Sequence, residues 1–288
     1  MALIDRIRAV QQRSPASFSP FAIDGEIVGF LPRDLAKQLC DVFSTSFSIN
    51  DGQLVFLQAV TDFEARSLVL ANISDFFLAE GLMPKPRNEL YPIKNNWNQK
   101  PFAELERNAS IPLGLITYGV NLHAWTLNEA GQQLLWVGKR SLNKQTEPGK
   151  LDHLAAGGQP AHLGLHENMI KEAEEEASVP VHLAKMCKPA GSVSGHYHGQ
   201  FCRRFIHYNF DLELPAEFLP KPMDGEVENF ELMPPHEVID LLRSGYHFDL
   251  ESGVAVIDWL IRHGHVHAEN EPDFDLVESG LRADLFTL

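Results

Sequence analysis

Glu172, Glu175 and Glu176 have the spacing of one helical face. Each residue of a helix turns by about 100°, so positions i, i+3 and i+4 point the same way and Glu174 points elsewhere. Met169, Ile170, Ala173 and Ala177 fall on an apolar side suited to a core. Carboxylates held this close repel one another at neutral pH. A hard divalent cation bound by oxygen, Mg²⁺ or Mn²⁺, would offset that repulsion and is the expected cofactor. Upstream, Gly157 and Gly158 read as a glycine turn followed by a loop. Earlier still, Lys139, Arg140 and Lys144 cluster at the end of a predicted strand. Arg140 and Lys144, with Lys150 as the alternative, are the candidate donors of charge-assisted hydrogen bonds to a phosphate-bearing substrate.

The elements that must position these groups follow from periodicity. Ala2 to Gln12 reads as a short amphipathic helix, with Leu3, Ile4, Ile7 and Val10 on one side. Phe21 to Leu31 and Phe47 to Leu57 read as hairpins about Asp24-Gly25 and Asp51-Gly52. Thr61 to Glu80 predicts a helix capped by Thr61 with Glu64 as its capping-box partner, burying Leu68, Leu70, Ile73, Phe76, Phe77 and Leu78. Leu82 to Pro101, rich in Pro and Asn, reads as an irregular connection, and Arg87 to Tyr91 within it as a satisfied loop network. Phe102 to Ser110 predicts a short helix. Strands are expected at 117–126, 133–140, 189–193, 201–214 and 225–232, the last after an Asp224-Gly225 turn, and helices at 235–243 and 253–263. The final twenty or so residues read as acidic and loosely packed. The expectation is thus an α+β protein, an α/β/α sandwich about a mixed sheet (residues 101–288), preceded by a smaller α+β unit (residues 1–100).

The chain has 288 residues and a formal net charge of −15, which disfavours long nucleic acid and anionic membrane surfaces as partners. Cys40, Cys187 and Cys202 are widely spaced, so neither a disulfide framework nor a structural zinc site is expected. The first residues are too polar for a signal peptide and no apolar run would span a bilayer, so the expected compartment is the cytoplasm. His196 and His198 resemble a metal pair but have no third ligand at suitable spacing; a mobile loop with two exposed histidines is expected. Trp97, Trp125 and Trp136 could stack on a heteroaromatic ring, though tryptophans more often serve cores.

Lys171 to Val179 resembles the end of the Nudix box, G-x5-E-x7-R-E-U-x-E-E-x-G-U with U aliphatic. Glu172, Glu175 and Glu176 fall on its three metal-facing glutamates, and counting back places the first box glycine on Gly157. Lys171 stands for the arginine, Ser178 for the glycine that ends the helix, and Leu163 for the loop glutamate, with Glu167 out of register. The glycine pair can be read as Ala156-Gly157 or as Gly157-Gly158. The resemblance continues through Arg87 to Pro92, Glu106-Arg107, Tyr118 to Val120, Pro148 to Asp152, Glu167-Asn168, Asp224 to Glu228, Ile257-Asp258 and Arg262 to Gly264. Together these are similar to one Nudix subfamily, related to the region preceding thiamin pyrophosphokinase in some fungal proteins and with plant and bacterial members.

What the resemblance implies is metal-dependent hydrolysis of a small-molecule diphosphate, with thiamin diphosphate or its damaged oxo forms as the favoured substrate class. It implies a main-chain carbonyl of the glycine turn, Gly157 or Ala156, as a further metal ligand. It also implies a general base among the box glutamates or at Glu226, the later acidic position; a solvated turn acid is the plain alternative for Glu226. ADP-ribose or another nucleoside diphosphate derivative, and a non-catalytic diphosphate-binding protein, are the alternatives. An isomerase would need a catalytic cysteine near the box, and none stands there. A homodimer stays open, as does the role of residues 1–100 as lid, specificity unit or dimerisation unit.

Overall fold

The computed structural model describes residues 1–13, 15–144, 146–223 and 225–286. It begins with α1 (Leu3–Ala9), followed by β1 (Phe18–Ile23), β2 (Glu26–Pro32), α2 (Arg33–Val42), β3 (Phe47–Asn50), β4 (Gln53–Phe56) and α3 (Phe63–Ala79). The four strands form one sheet in the order β2-β1-β4-β3. Both expected hairpins are present. Asp24 and Gly25 (φ 52° and 82°) and Asp51 and Gly52 (φ 49° and 78°) take the positive φ that a tight two-residue turn demands at both central positions.

Helix α3 differs from expectation at its start. Asp62, not Thr61, is the N-cap, its carboxylate accepting from Ala65 N at 2.7 Å. Aspartate is as good a cap as any hydroxyl residue and lies one position nearer the helix. Leu70, Ile73 and Phe77 are fully buried, whereas Leu68 and Leu78 face solvent.

The stretch after α3 is more regular than its composition suggests. β5 (Leu90–Ile93) pairs with β6 (Ala103–Glu106), and a 3-10 turn at Arg107–Ser110 follows. The expected helix over 102–110 is therefore a strand and a turn. Ala103 and Leu105 alternate inward with the period of two that a strand requires, and Glu106 closes the 3-10 turn by accepting from Asn108 N. Ala103, Leu105, Ala109, Leu113 and Leu115 pack with Phe21, Leu70 and Phe77, so the first core draws residues from Phe21 to Leu115.

The second core surrounds a seven-stranded sheet. Its strands are β7 (Ile116–Leu127), β8 (Gln133–Arg140), β9 (Leu151–Asp152), β10 (Ala155–Gly158), β11 (Lys188–His198), β12 (Cys202–Glu213) and β13 (Val227–Met233). The main order is β11-β12-β7-β8-β13; β10 lies beside the first part of β7 and β9 beside β8. Only β7 and β12 run parallel among these pairs. Asp224, in the turn expected before β13, lies outside the described residues. Helices α4 (Leu165–Ala177) and α5 (Val181–Ala184) cover one face; α6 (Pro235–Ser244), α7 (Leu250–Arg262) and α8 (Phe274–Ser279) complete the chain.

Residues alternate between the two faces. Val120, Leu122 and Ala124 meet Met169, Ala173 and Ala177 of α4, while Leu135, Val137 and Phe205 meet Trp259 and Leu260 of α7. Leu3, Ile4, Ile7 and Val10 of α1 join this second core. The described C-terminal residues are packed rather than loose: Val277 and Leu281 are buried where α8 meets α1, and Leu285 is buried against Ile116 and Tyr118. No described helix is long and apolar enough to cross a membrane.

His196 is likewise not in a mobile loop. It lies within β11, is 2% exposed and stacks on Phe30. Trp97, Trp125 and Trp136 are structural. Trp97 packs on Tyr118 and Tyr208 under the Lys94 ammonium, Trp125 packs on Trp259, and Trp136 is buried on the α4 side.

Candidate active site

Helix α4 starts at an extended Gly164 and ends at Ser178, which takes the left-handed conformation (φ 56°) that glycine usually supplies. Ser178 N and Val179 N close the helix on Glu174 O and Ala173 O, and Ser178 Oγ donates to Lys221 O at 3.0 Å. A serine thus serves where the box has glycine.

The expected glycine turn is instead strand β10, and it forms the floor of the site. Gln159 N donates to Tyr118 O, so in the antiparallel ladder Gly157 turns its own amide and carbonyl towards β7. Ala156 points the other way, its N–H donating to Glu176 Oε2 at 2.8 Å. The carbonyl facing the glutamates is therefore that of Ala156, not Gly157. Gly157 leaves room for Glu172: a Cβ there would overlap the carboxylate carbon and push that side chain from its place. At Gly158 a Cβ would meet the Tyr91 hydroxyl, with Arg107 Cζ only 3.0 Å away. Both glycines are thus used, each against a different partner.

The loop that lacks its glutamate is held by other means. Buried Gln159 donates through Nε2 to Leu163 O at 2.7 Å, and buried Asn168 donates to Gly158 O at 2.9 Å. From outside, Ala161 N donates to Leu90 O of β5 at 2.7 Å, and His162 pairs with Glu104 of β6. The β5–β6 pair is docked directly against the segment that presents α4.

The three glutamates separate in the folded chain. Glu176 is 6% exposed, and burial pushes its carboxyl well above the usual carboxylate range, against the opposing pull of Lys144 and the Ala156 amide. Glu172 lies against Gly157 and is raised in the same way by burial. Glu175 is turned outward to Lys171, at 2.8 Å, and is half exposed. Among the described residues no three acidic, histidine or cysteine side chains come close enough together to cage a metal ion. Lys171 bridges Glu172 (3.2 Å) and Glu175 (2.8 Å), while Glu176 turns to the Ala156 amide and Lys144. The carboxylates of Glu172 and Glu176 and a carbonyl still fit a hard ion such as Mg²⁺, which keeps several waters and needs few protein ligands.

Of the expected phosphate binders, Lys144 alone faces this pair. Its ammonium lies 3.9 Å from Glu176 Oε1 and bonds Glu226 Oε2. Arg140 does not present its fork to the site. Its donors go to Asp152 Oδ2 (2.5 Å), Glu147 O (3.1 Å) and Thr146 O (2.8 Å), an ion pair that fastens the β8–β9 connection. Lys150 is turned to Tyr246 O. Burial pushes the Glu226 carboxyl up, but Lys144, Arg87 and Arg107 outweigh it and hold it below the usual range. A carboxylate so held is a weak proton acceptor, so the local surroundings favour Glu172 and Glu176 over Glu226 as bases.

Two arginines, Arg87 of the expected loop network and Arg107 of the expected helix, stand at the site. Arg87 is 3.7 Å from Glu226, and Arg107 is 2.9 Å from Glu89 and lies against Gly158. The signal was present in the matching segments at Arg87 to Pro92 and Glu106-Arg107, but nothing in spacing brings residues 87 and 107 to residue 172. Two surface hollows, of about 590 Å³ by Gln133 and His265 and about 430 Å³ by Met186 and Arg262, lie away from all these groups.

Behind β10, His153 is 4% exposed and packs edge-on against His123, their ring centroids 4.8 Å apart. Among the described residues neither of its ring nitrogens has a hydrogen-bond partner. Burial, then His123, pushes its pKa down to about 3. A histidine depressed in the folded state stabilises the fold fully above its unfolded pKa near 6.5, and that contribution is lost as pH falls towards 3. His153 is therefore expected to contribute about 2 kcal/mol to the fall in stability between pH 7 and pH 5, beside the other histidines whose pKa burial lowers, His123, His196, His207 and His265. In urea unfolding, His153→Phe should reduce that fall by about this amount; an unchanged slope would refute the assignment.

The chain matches two family models: "Domain of unknown function (DUF4743)" over residues 1–117 and "NUDIX domain" over residues 117–251. "Nudix hydrolase 20, chloroplastic" of Arabidopsis thaliana is 36% identical over 272 residues, covering 91% of this chain and 72% of the relative. "Nudix hydrolase 24, chloroplastic" of the same plant is 37% identical, covering 90% of this chain and 71% of the relative. Among solved structures, DR0079 from Deinococcus radiodurans aligns with 61% of this chain and 98% of its own at 19% identity and a TM-score of 0.45.

Proposed function

The chain belongs to the Nudix hydrolase family, and we propose that it is a metal-dependent pyrophosphohydrolase of thiamin diphosphate or its damaged oxo analogues. As a family member it is a hydrolase acting on phosphorus-containing anhydrides. In the proposed reaction, water adds to one phosphorus, the bridging P–O bond breaks, and monophosphate and phosphate leave. The reading rests on one observation above all. Two carboxylates, half-buried Glu172 and buried Glu176, lie over β10 where the Ala156 carbonyl turns outward, with the Lys144 ammonium beside Glu176.

Glu172, Glu176 and the Ala156 carbonyl would hold Mg²⁺ or Mn²⁺, which when bound screens the diphosphate and makes water more acidic. Glu175, on the same helix, is the reserve carboxylate once Lys171 lets go. Lys144 binds a phosphate oxygen, and Glu226 holds Lys144 in position. Glu172, raised by burial, takes the proton that the attacking water loses. The thiamin assignment rests on the subfamily resemblance that runs from Arg87 to Gly264. Residues 1–100 are proposed as a specificity unit, since β5 lies against the loop before α4.

The test is incubation with Mg²⁺ and thiamin diphosphate, oxothiamin diphosphate, ADP-ribose and nucleoside diphosphates, with released phosphate or monophosphate measured. Turnover of the thiamin compounds above the others is expected. Turnover of ADP-ribose alone would reject the thiamin assignment, and turnover of none would reject the hydrolase reading.

A further inference from the structure

We propose that Arg107, carried by the 3-10 turn after β6, binds a phosphate of the diphosphate through its planar fork, so that the segment before the second core completes the active site. The inference rests on the hydrolase reading of the same site and names a residue that neither the box nor the later acidic position includes.

Three observations place Arg107 there. Its guanidinium lies against Gly158, one residue from the glycine that Glu172 covers and two from the Ala156 carbonyl. Its charge is felt by both Glu172 and Glu226. Its side chain is 38% exposed, and among the described residues its only side-chain hydrogen bond goes from Nη1 to Glu89. The Tyr91 ring, 5.4 Å from the guanidinium carbon, supports one face of the group. The remaining donors are therefore held at a fixed height above β10 and can reach an oxyanion there.

The surrounding structure is built to keep this arrangement. Glu106 accepts from Arg87 N at 2.8 Å and from Asn88 N at 3.1 Å, folding the chain so that Asn88 takes a positive φ of 59°. That turn carries Arg87 to within 3.7 Å of Glu226 and brings Glu89 to Arg107. Gly158 admits Tyr91 only because it lacks a Cβ. Electrostatics give this geometry a purpose. The site holds Glu89, Glu172, Glu176 and Glu226 and must accept a polyanion, which a buried acidic wall alone would repel. A guanidinium fork matches two phosphate oxygens, whereas an ammonium supplies a point charge.

The experiment is calorimetric titration of the full-length chain with methylenediphosphonate, a non-hydrolysable diphosphate, in Mg²⁺. Wild type, Arg107→Ala and Arg107→Lys are compared, with thermal unfolding of each. Arg107→Ala is expected to weaken binding at least tenfold, and Arg107→Lys about threefold or more at unchanged Tm. With hydrolysable substrate, KM should rise more than kcat falls. If Arg107→Ala does not fold, Arg107→Lys decides alone. Arg107→Lys binding as tightly as wild type would overturn the proposal while leaving the hydrolase reading intact. No binding of methylenediphosphonate by wild type would overturn both.

Discussion

Glu176→Gln is expected to reduce Mg²⁺-dependent diphosphate hydrolysis by about 10³-fold or more and, at the same time, to raise the Tm of the metal-free protein. The first effect follows from removing a buried anion that would hold the metal, whose stabilisation of a transferring phosphoryl group is worth several kcal/mol. The second follows from burial. Glu176 is 6% exposed, and its nearest offsets are one amide at 2.8 Å and one ammonium at 3.9 Å. Its carboxyl is raised well above the ordinary value by desolvation. A carboxyl whose folded pKa is raised favours the folded state below its unfolded pKa, near 4.5, and that advantage is lost as pH rises through the folded value. Above the unfolded pKa the carboxyl is therefore a burden on the metal-free fold, since it must either be buried charged or take up a proton, and glutamine keeps its shape without the charge. A gain of about 1 kcal/mol, or about 2–4 °C in Tm, is expected at pH 8 and none at pH 4. Thermal unfolding with and without Mg²⁺ checks this. Mg²⁺ should raise the Tm of wild type and not of the variant. Hydrolysis at the wild-type rate would remove Glu176 from the catalytic machinery, and a lower metal-free Tm at pH 8 would refute the burial argument.

Arg204→Met should cost about 3 kcal/mol or more, the largest stability loss expected from any single side chain considered. Arg204, on β12, is 1% exposed. Its Nη1 donates to Val28 O at 2.9 Å and Gly114 O at 3.3 Å, and its Nη2 donates to Leu285 O at 2.5 Å. The guanidinium lies over Phe30 at 4.9 Å. Burial lowers its pKa to about 10, so it stays charged at neutral pH. One side chain thus joins the first sheet, the chain crossing between the cores, and the C-terminal end. Methionine fills much of the volume but leaves these buried carbonyls without that donor, and desolvated acceptors account for the loss. Arg204→Lys should recover little, because one ammonium cannot reach three carbonyls in a plane. A Tm within 2 °C of wild type would show that the carbonyls find other donors.

The elements with strong local signals were readable from the chain. Asp24-Gly25 and Asp51-Gly52 carry their turn geometry in their own φ preferences. α4 and α7 declare themselves by the spacing of apolar residues, and β12 by alternation of Phe205, His207 and Asn209 with Ile206, Tyr208 and Phe210. The segment 102–110 is a strand and a turn because pairing with β5 and packing of Ala103 and Leu105 against the first core stabilise it, and four residues carry too little alternation to declare a strand. His196 is buried where an exposed loop is expected, and Gly195 beside it is a glycine of close packing. A Cβ there would overlap the Phe205 ring.

The box glutamates were likewise legible as a face, since helical spacing alone aligns them. Their division was not. Glu175 differs from Glu172 and Glu176 in what the rest of the chain places beside it: solvent for one, β10 for the others, with Lys171 bonded to both Glu172 and Glu175. The same holds for the basic residues. Arg140, Lys144 and Lys150 are equivalent in composition, and the fold gives Arg140 to Asp152, Lys150 to a carbonyl, and Lys144 to the site.

By itself, then, the order of residues determined the mixed α and β elements, the carboxylate helix and the family, because these depend on periods of two and 3.6 and on residues within one segment. Tertiary structure alone decided which carbonyl faces the carboxylates, which glutamate is buried, and that Arg87 and Arg107 arrive beside Gly158 and Glu226. Those outcomes depend on burial and on contacts between segments far apart in the chain. Desolvation and charge pairing act through space, and no local pattern encodes them.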